Sequence, residues 1–524
     1  MKREPTLLES CGFDVLIVGG GIVGCAIARD AALRGIRVAL VEKGDFASGT
    51  SSRTSKLVHG GLRYLEHGYL GLVRESCLER QRLLKLAPHL VKPLRFLLPF
   101  SSGSGWLPYP ILRMGLYMYD IFAGGTRIGW HHGMSAAELA RWEPALAGGT
   151  SSAGASYYDA VMDDARVTLE VALAATQAGA VLVNHAEAVS LLRSPGGAVA
   201  GAAVRDQFDG TMREVPAKLV VNAGGPWGDG ILGMAGRPGK VLRPTKGVHL
   251  IMRKQLTSSA LIVRAREDQR VFFVIPWQGL TIIGTTDTDY SGDLDDIRAD
   301  GEDVRYLLEH ATAVLPGARF GREDILCTYA GVRPLLAGDP KHPSATSREH
   351  RIWEEPRGML SVLGGKFTTF RAMAEQAVNA VERAIGVPHR PSPTLATPLP
   401  GAVPGPKFAG AAPEGEAARL AAIYGERASE VLAISSAVPH GFSPLCQHTG
   451  RTRGEVAYAV QAEMAMTLSD ILERRLRLAL TTACRGSDAA ETAAMVAAPL
   501  LKWDEEERKR HINHYLSRLE TTKA

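Results

Sequence analysis

Apolar positions fall into two rhythms along this chain. In residues 13–42 a short β-branched run, FDVLIV, is followed by apolar and small residues at helical spacing, then by a second apolar run. The first run predicts a buried parallel strand, and Ile22 to Arg34 a helix that ends at Gly35. Ile36 to Val41 predicts a second strand, closed by Glu42. Gly19, Gly21 and Gly24 stand between the first strand and the helix as G-x-G-x-x-G. Gly19 permits the tight turn, Gly21 lets backbone approach a pyrophosphate, and Gly24 lets helix and strand pack closely. The helix N-terminus offers unpaired N–H groups and a positive dipole end to phosphates. Glu42 lies where a carboxylate can accept from a ribose diol, and it disfavours a 2′-phosphate, which argues against NADP.

The same rhythms organise the rest. Residues 69–92 carry apolar positions at 3–4 spacing and predict an amphipathic helix. Residues 94–122 are apolar and aromatic, with Arg95 and Arg113 interspersed. They read as core packing or as a surface dipping into a membrane interface, where Trp106, Tyr109 and Tyr117 suit the headgroup level. Residues 166–193 resume the helix-then-strand pattern, so the dinucleotide unit is discontinuous. Lys218 to Asn222 predicts a buried strand ending in Ala223, Gly224, Gly225 and Pro226, small enough for close backbone approach. Residues 240–335 alternate apolar and polar, as in RVFFVIPW and LTIIGTTD, and predict an antiparallel sheet. Gly364 and Gly365 precede a helix from about Thr368. A Pro- and Gly-rich linker is expected at 388–412, then a mostly helical segment at 413–524, with 454–480 its clearest amphipathic helix.

Composition narrows this picture. The length of 524 residues allows two or three domains. A formal charge of +5 suits anionic small molecules or an anionic membrane surface, and without a Lys/Arg run it argues against nucleic acid. Cys11, Cys25, Cys77, Cys327, Cys446 and Cys484 form no C-x-x-C, so free thiols in a reducing cytoplasm are expected and no metal site is predicted. Neither a signal peptide nor a transmembrane helix is expected. The polar loop 44–64, GDFASGTSSRTSKLVHGGLRY, is long and functional in character, a cradle of hydroxyls and backbone N–H groups for a second phosphate or a flavin.

The run SSRTSKLVHGGLRYLEHG after GGGIVGCAIARDAALRG resembles the FAD-dependent glycerol-3-phosphate dehydrogenases, the quinone-reducing, membrane-associated kind. The resemblance continues through YYDAVMDDARV (157–167), VVNAGGPWGD (220–229), PTKGVHL (244–250), VIPWQGLTIIGTTDTDY (274–290), YAGVRPLL (329–336) and SVLGGKFTTFR (361–371). It implies an α/β fold, α+β overall. A Rossmann-like FAD-binding domain (about 13–65, 150–240 and 350–387) carries an interleaved antiparallel substrate domain (about 66–149 and 241–349) of glycine/D-amino-acid-oxidase-like kind. A helical C-terminal domain follows. Gly19, Gly21, Gly24, Glu42, Thr50, Ser51, Ser52, Lys56, Leu57, Ala223, Gly224, Gly364, Gly365 and Thr368 are expected at the FAD.

The resemblance implies oxidation of sn-glycerol 3-phosphate to dihydroxyacetone phosphate, with hydride leaving C2 for flavin N5 and electrons passing to membrane quinone. Arg63 and Lys366 are assigned to the substrate phosphate, with Tyr64 and His59 secondary. His249 is the general-base candidate, because its pKa can be tuned near neutrality. An arginine is too weak an acid to serve as base, so Arg333 orients the alcohol and stabilises developing alkoxide. His131, His132 and His448 are read as structural or solvated, and Asp163 and Asp164 as helix-capping and arginine-pairing groups. The rivals are an oxidase that passes electrons to oxygen, an amino-acid oxidase of the same superfamily, and a non-catalytic flavin-binding electron-transfer subunit. The expected setting is the cytoplasmic face of the inner membrane, bound peripherally; a homodimer is a family expectation.

Overall fold

The structure is a computed structural model that describes residues 1–10, 12–62, 68–101, 109–123, 128–237, 239–265, 267–337, 350–402 and 413–522. Two sheets meet over one cleft. In the first, Met359–Gly364, Met212–Asn222, Phe13–Val18, Val38–Val41 and Val181–Val183 run parallel in that order. Phe13–Val18 sits at the centre and is almost wholly buried, which explains its unbroken apolar run. Val18 lies opposite both Asn222 and Val41, so three strands end level. Ligands in such sheets bind beyond the carboxyl ends of the strands. The helices Ile22–Leu33, Asp164–Gln177 and Phe370–Ile385 cover this sheet around a shared apolar core.

The second sheet is mostly antiparallel, with one parallel contact between Val91–Phe100 and Ala260–Arg264. Its key pair is Leu242–Met252 against Ile325–Leu336, where Thr245 faces Arg333, Gly247 faces Gly331 and His249 faces Tyr329. Alternation places Thr245, Gly247 and His249 on one face and Val248 and Leu250 on the other. Val248 and Leu250 join an apolar cluster under the helix Gly301–Val314. The cleft-side face continues into a cluster that includes Phe96, Ile251 and Ile275, beneath the helix Tyr109–Ala123.

The C-terminal segment is helical, and buried ion pairs fix it to the first sheet's layer. Arg166 grips Glu463 through two bonds of 2.8 Å each. Asp45 accepts from Arg474 Nε at 2.6 Å and also pairs with Arg475. Three expectations need correction here. The 454–480 helix is broken: Arg453–Glu463 ends at Met464, whose φ of 54° is left-handed. Asp470 then accepts from the N–H groups of Met466 and Thr467 and starts a new turn, Asp470–Arg475. Residues 388–402 are not a loose linker, because Arg29 donates to the carbonyls of Thr397 and Pro398 and Leu399 is buried; 403–412 lie outside the described residues. The predicted helix at 69–92 ends early, as Leu70–Leu86, and the chain turns into the strand Val91–Phe100.

Candidate active site

A cleft of about 1680 Å³ runs between the sheets. It exceeds the roughly 300–1,000 Å³ of most small-ligand pockets, which leaves room for a dinucleotide and a substrate together. At one end lies the N-terminus of Ile22–Leu33. Its N-cap, Gly21, makes no side-chain cap, so backbone donors remain there for an anion. Ser51 Oγ accepts from Ile22 N at 2.9 Å and ties the polar loop to this turn. Glycine is required on steric grounds. A Cβ on Gly19 would lie 2.5 Å from the Ala223 carbonyl oxygen, and one on Gly24 would lie 1.9 Å from the Gly19 oxygen. Gly24 thus serves helix–strand packing, while Gly19 and Gly21 line the cleft.

Glu42 enters from the end of Val38–Val41. Its carboxylate accepts from Gly20 N at 2.6 Å and Gly44 N at 2.8 Å, which fixes its orientation. Burial pushes its pKa up, against those two donors. Ala223, Gly224, Thr50 and Leu57 also line the cleft, and Thr50 Oγ1 donates to the Val332 carbonyl at 2.6 Å. Trp227 lines it as well, and its indole Nε1 is buried without a hydrogen-bond partner among the described residues. Orphaned buried donors are costly, so this nitrogen is suited to a ligand acceptor. The glycine cradle, the Glu42 carboxylate beside it and the size of the cleft fit FAD.

The other end gathers His249, Arg333 and Lys366. His249 is buried, its Nε2 lies 2.8 Å from Ser55 Oγ, and its ring stacks on Tyr329 at 4.7 Å. Nδ1 has no partner among the described residues. Burial first, then the charges of Arg333 and Lys56, hold its pKa well below the usual histidine range, which corrects the expectation of a value tuned near neutrality and leaves the ring neutral at physiological pH. Arg333 points its guanidinium at Asp287 Oδ1 (3.0 Å) and Thr285 Oγ1 (2.9 Å). Gly364 and Gly365, at φ 83° and 85°, turn the chain from strand into the 3-10 turn Phe367–Thr369. That turn brings Lys366 to the cleft, with its Nζ 3.1 Å from Ser76 Oγ. Thr368 Oγ1 accepts from His59 N at 3.3 Å, joining the two walls.

Two assignments are corrected. Lys56 does not line the cleft: its ammonium is buried and bonds Asp164 at 2.6 and 2.8 Å and the Ser52 carbonyl at 2.5 Å. A buried ammonium needs such partners, so Lys56 braces the loop instead of meeting a phosphate. Ser52 likewise turns its carbonyl to Lys56 and stands off the cleft. Arg63 and Tyr64 lie outside the described residues, as does Trp106. Asp163 caps the helix Asp164–Gln177, accepting from Arg166 N, and Asp164 pairs with Lys56 and Arg477. Sequence reasoning missed Ser55, Asp287 and Tyr329, which position His249 and Arg333. It also missed Arg510, His511, His514 and Arg518 of the helix Glu505–Glu520, which line the same cleft. The available signal was RKRH at 508–511, a short basic run that the expectation of no Lys/Arg run overlooked.

A parallel sheet with this glycine turn, facing an antiparallel sheet across the cofactor cleft, defines an FAD-dependent oxidoreductase. Residues 14–378 match the family described as FAD dependent oxidoreductase, and 361–508 match the C-terminal domain of alpha-glycerophosphate oxidase. Glycerol-3-phosphate dehydrogenase 2 of Mycobacterium tuberculosis is 41% identical over 519 residues, covering 97% of this chain and 88% of that one. The Synechocystis glycerol-3-phosphate dehydrogenase is 35% identical over 544 residues, covering 98% and 97%. The solved glycerol-3-phosphate dehydrogenase of Bacillus halodurans, complexed with FAD, superposes with a TM-score of 0.82 at 30% identity, covering 99% and 96%. The chain belongs to the FAD-dependent glycerol-3-phosphate dehydrogenase family.

Proposed function

We propose that the protein oxidises sn-glycerol 3-phosphate to dihydroxyacetone phosphate and delivers the electrons to membrane quinone. The observation that carries this reading is the neutral, buried His249 beside Arg333, on the same cleft as Lys366. The names of the relatives supply the substrate. Bound FAD supplies the hydride acceptor for the C2 hydrogen. The protein's own task is to hold the alcohol and take its proton.

The Ser55 hydroxyl, which can donate or accept, holds His249 Nε2 and orients the ring. The neutral imidazole of His249, held at Nε2 by Ser55, takes the hydroxyl proton. Arg333, held by Asp287 and Thr285, orients the alcohol oxygen and stabilises the charge that grows there. Lys366 meets the phosphate, as do Arg63 and, secondarily, Tyr64 and His59, by resemblance to the family. Charge-assisted contacts of this kind set the distance from C2 to its acceptor. The residues proposed at the FAD are Gly19, Gly21, Glu42, Thr50, Ser51, Leu57, Ala223, Gly224, Gly364, Gly365 and Thr368.

Peripheral membrane attachment is part of the proposal. It is supported by the helix Tyr109–Ala123, where Ile111, Met114, Tyr117 and Ile121 recur at helical spacing and are 45% to 66% exposed. Among the described residues no helix is long and apolar enough to cross a membrane. The test is steady-state turnover of the FAD-loaded protein on glycerol 3-phosphate, with a soluble quinone or dissolved oxygen as sole acceptor. Fast quinone reduction with little peroxide supports the proposal. Fast peroxide formation assigns oxygen as acceptor and removes the reason for a membrane site.

A further inference from the structure

The C-terminal helical unit holds a cluster that the flavin chemistry does not use. Cys446 and His448 sit in a turn closed by a bridge between Pro444 and Thr452 and by the Leu445 N–H on the Arg451 carbonyl at 2.9 Å. Cys484 and Asp488 sit across the entry to the helix Ser487–Leu501, where the Ser487 N–H donates to the Cys484 carbonyl at 2.9 Å. The two pieces are far apart in sequence, and the fold brings them side by side. None of the four residues lines the cofactor cleft.

The geometry points to a site for one zinc ion, or a similarly soft divalent cation, held by His448, Cys484 and Asp488 and closed by Cys446. The ligand atoms of the first three all lie within 4.8 Å of one another. The Cys446 and Cys484 sulfurs are 3.8 Å apart, and His448 Nε2 is 3.3 Å from Asp488 Oδ2. Tetrahedral zinc, with bonds of about 2.3 Å to sulfur and 2.0–2.2 Å to nitrogen or oxygen, sets its ligand atoms about 3–4 Å apart. A disulfide would set the sulfurs at about 2.05 Å, so the two thiols are unbonded here, at a spacing that a shared ion accepts.

The surroundings suit the same role. Ser487 Oγ donates to Asp488 Oδ1 at 2.9 Å, which leaves Oδ2 for the ion. Thr482 Oγ1 lies 3.6 Å from the Cys484 sulfur. The Gln447 amide nitrogen lies 3.3 Å from His448 Nε2 and must swing aside or present its oxygen elsewhere when that nitrogen coordinates. Both cysteines are half-buried, while His448 and Asp488 reach solvent, so the ion has an entry path. Two thiolates, one carboxylate and a neutral imidazole are the mixed soft and borderline set that favours zinc over magnesium or calcium. Binding would release the two thiol protons to solvent and staple the 444–452 turn to the Ser487–Leu501 helix. The sequence alone argued against a metal because no cysteine pair forms C-x-x-C.

The test uses the full FAD-loaded chain, reduced with a thiol reductant, desalted and titrated with zinc alone, with bound metal read by elemental analysis. Cobalt replaces zinc in a parallel sample to give an optical signal. The expected result is about one tightly held zinc per chain and a thiolate-to-cobalt charge-transfer band. Cys484→Ser and His448→Ala should each weaken binding about tenfold or more, with flavin content and turnover unchanged. Three results would overturn the site: no zinc uptake, uptake that both variants retain, or a Cys446–Cys484 disulfide in the purified chain that takes up no metal once reduced.

Discussion

At the residue scale, the account rests on His249. A base must be unprotonated to act, and burial together with Arg333 and Lys56 keeps this ring neutral well below the usual histidine pKa. The acid limb of kcat/KM is therefore expected far below pH 6.5, with a plateau through the neutral range. An inflection near the ordinary histidine value that vanishes in His249→Asn would contradict that. His249→Asn itself should cut kcat by about 10²–10⁴-fold while FAD stays bound, because only proton removal is lost. Lys366→Ala should act differently, raising KM for glycerol 3-phosphate more than it lowers kcat; equal loss in both would place Lys366 at the reacting centre instead. His249 and Arg333 were visible in the sequence only through their motifs. Their partners were not, since Ser55 and Asp287 join them through pairings between strands and loops that no local pattern encodes.

At the element scale, the glycine turn and the domain contacts are open to the same treatment. Gly24→Ala forces a methyl group onto the Gly19 carbonyl, 1.9 Å away, where backbone cannot yield cheaply. We expect a loss of about 1–3 kcal/mol in stability and weakened FAD retention, read by flavin content after gel filtration and by denaturant unfolding. Wild-type flavin content would sink this view of the turn. The strand–turn–helix unit was legible because each piece follows a local rule: an apolar run, spaced glycines, a helical rhythm and a closing acid. The break at Met464 was not, because the apolar rhythm runs on across it. It is set by the left-handed Met464 and by a reciprocal cap in which Asp470 accepts from Thr467 N and Thr467 Oγ1 accepts from Asp470 N, a T-x-x-D signal that the longer apolar rhythm masked.

The contact between Arg166 and Glu463 is also a property of paired elements. Both side chains are buried, and removing Glu463 takes from the Arg166 guanidinium the carboxylate it grips. Burial raises the Glu463 pKa, but Arg166, Arg427 and Arg475 together outweigh it and the net pKa lies below the ordinary value. This pair thus contributes stability above the unfolded carboxylate pKa of about 4.5 and loses it as pH falls through the lower folded value. Glu463→Ala should destabilise by about 3–5 kcal/mol in denaturant unfolding. A change under about 1 kcal/mol would mean the pair is not what seats the helical segment.

At the scale of the whole molecule, two sheets share one cleft, and the C-terminal helix Glu505–Glu520 reaches it with Arg510, His514 and Arg518. Periodicity in the sequence distinguished the parallel sheet from the alternating one. It could not show that a helix near the chain's end borders the cofactor cleft, because that depends on how separate layers dock. The exposed apolar face of Tyr109–Ala123 is likewise a surface property. Met114→Glu combined with Ile121→Glu should abolish co-sedimentation with anionic vesicles and leave turnover with a soluble quinone unchanged. Full vesicle binding by that variant would remove this helix from the membrane contact.

The most direct measurement is an anaerobic single turnover. The FAD-loaded protein is mixed with glycerol 3-phosphate, glycerol or an amino acid, and the flavin's visible absorbance is followed. The account expects rapid bleaching by glycerol 3-phosphate alone, slowed strongly in His249→Asn. Flavin that stays oxidised with glycerol 3-phosphate, or that bleaches equally with glycerol, would contradict it.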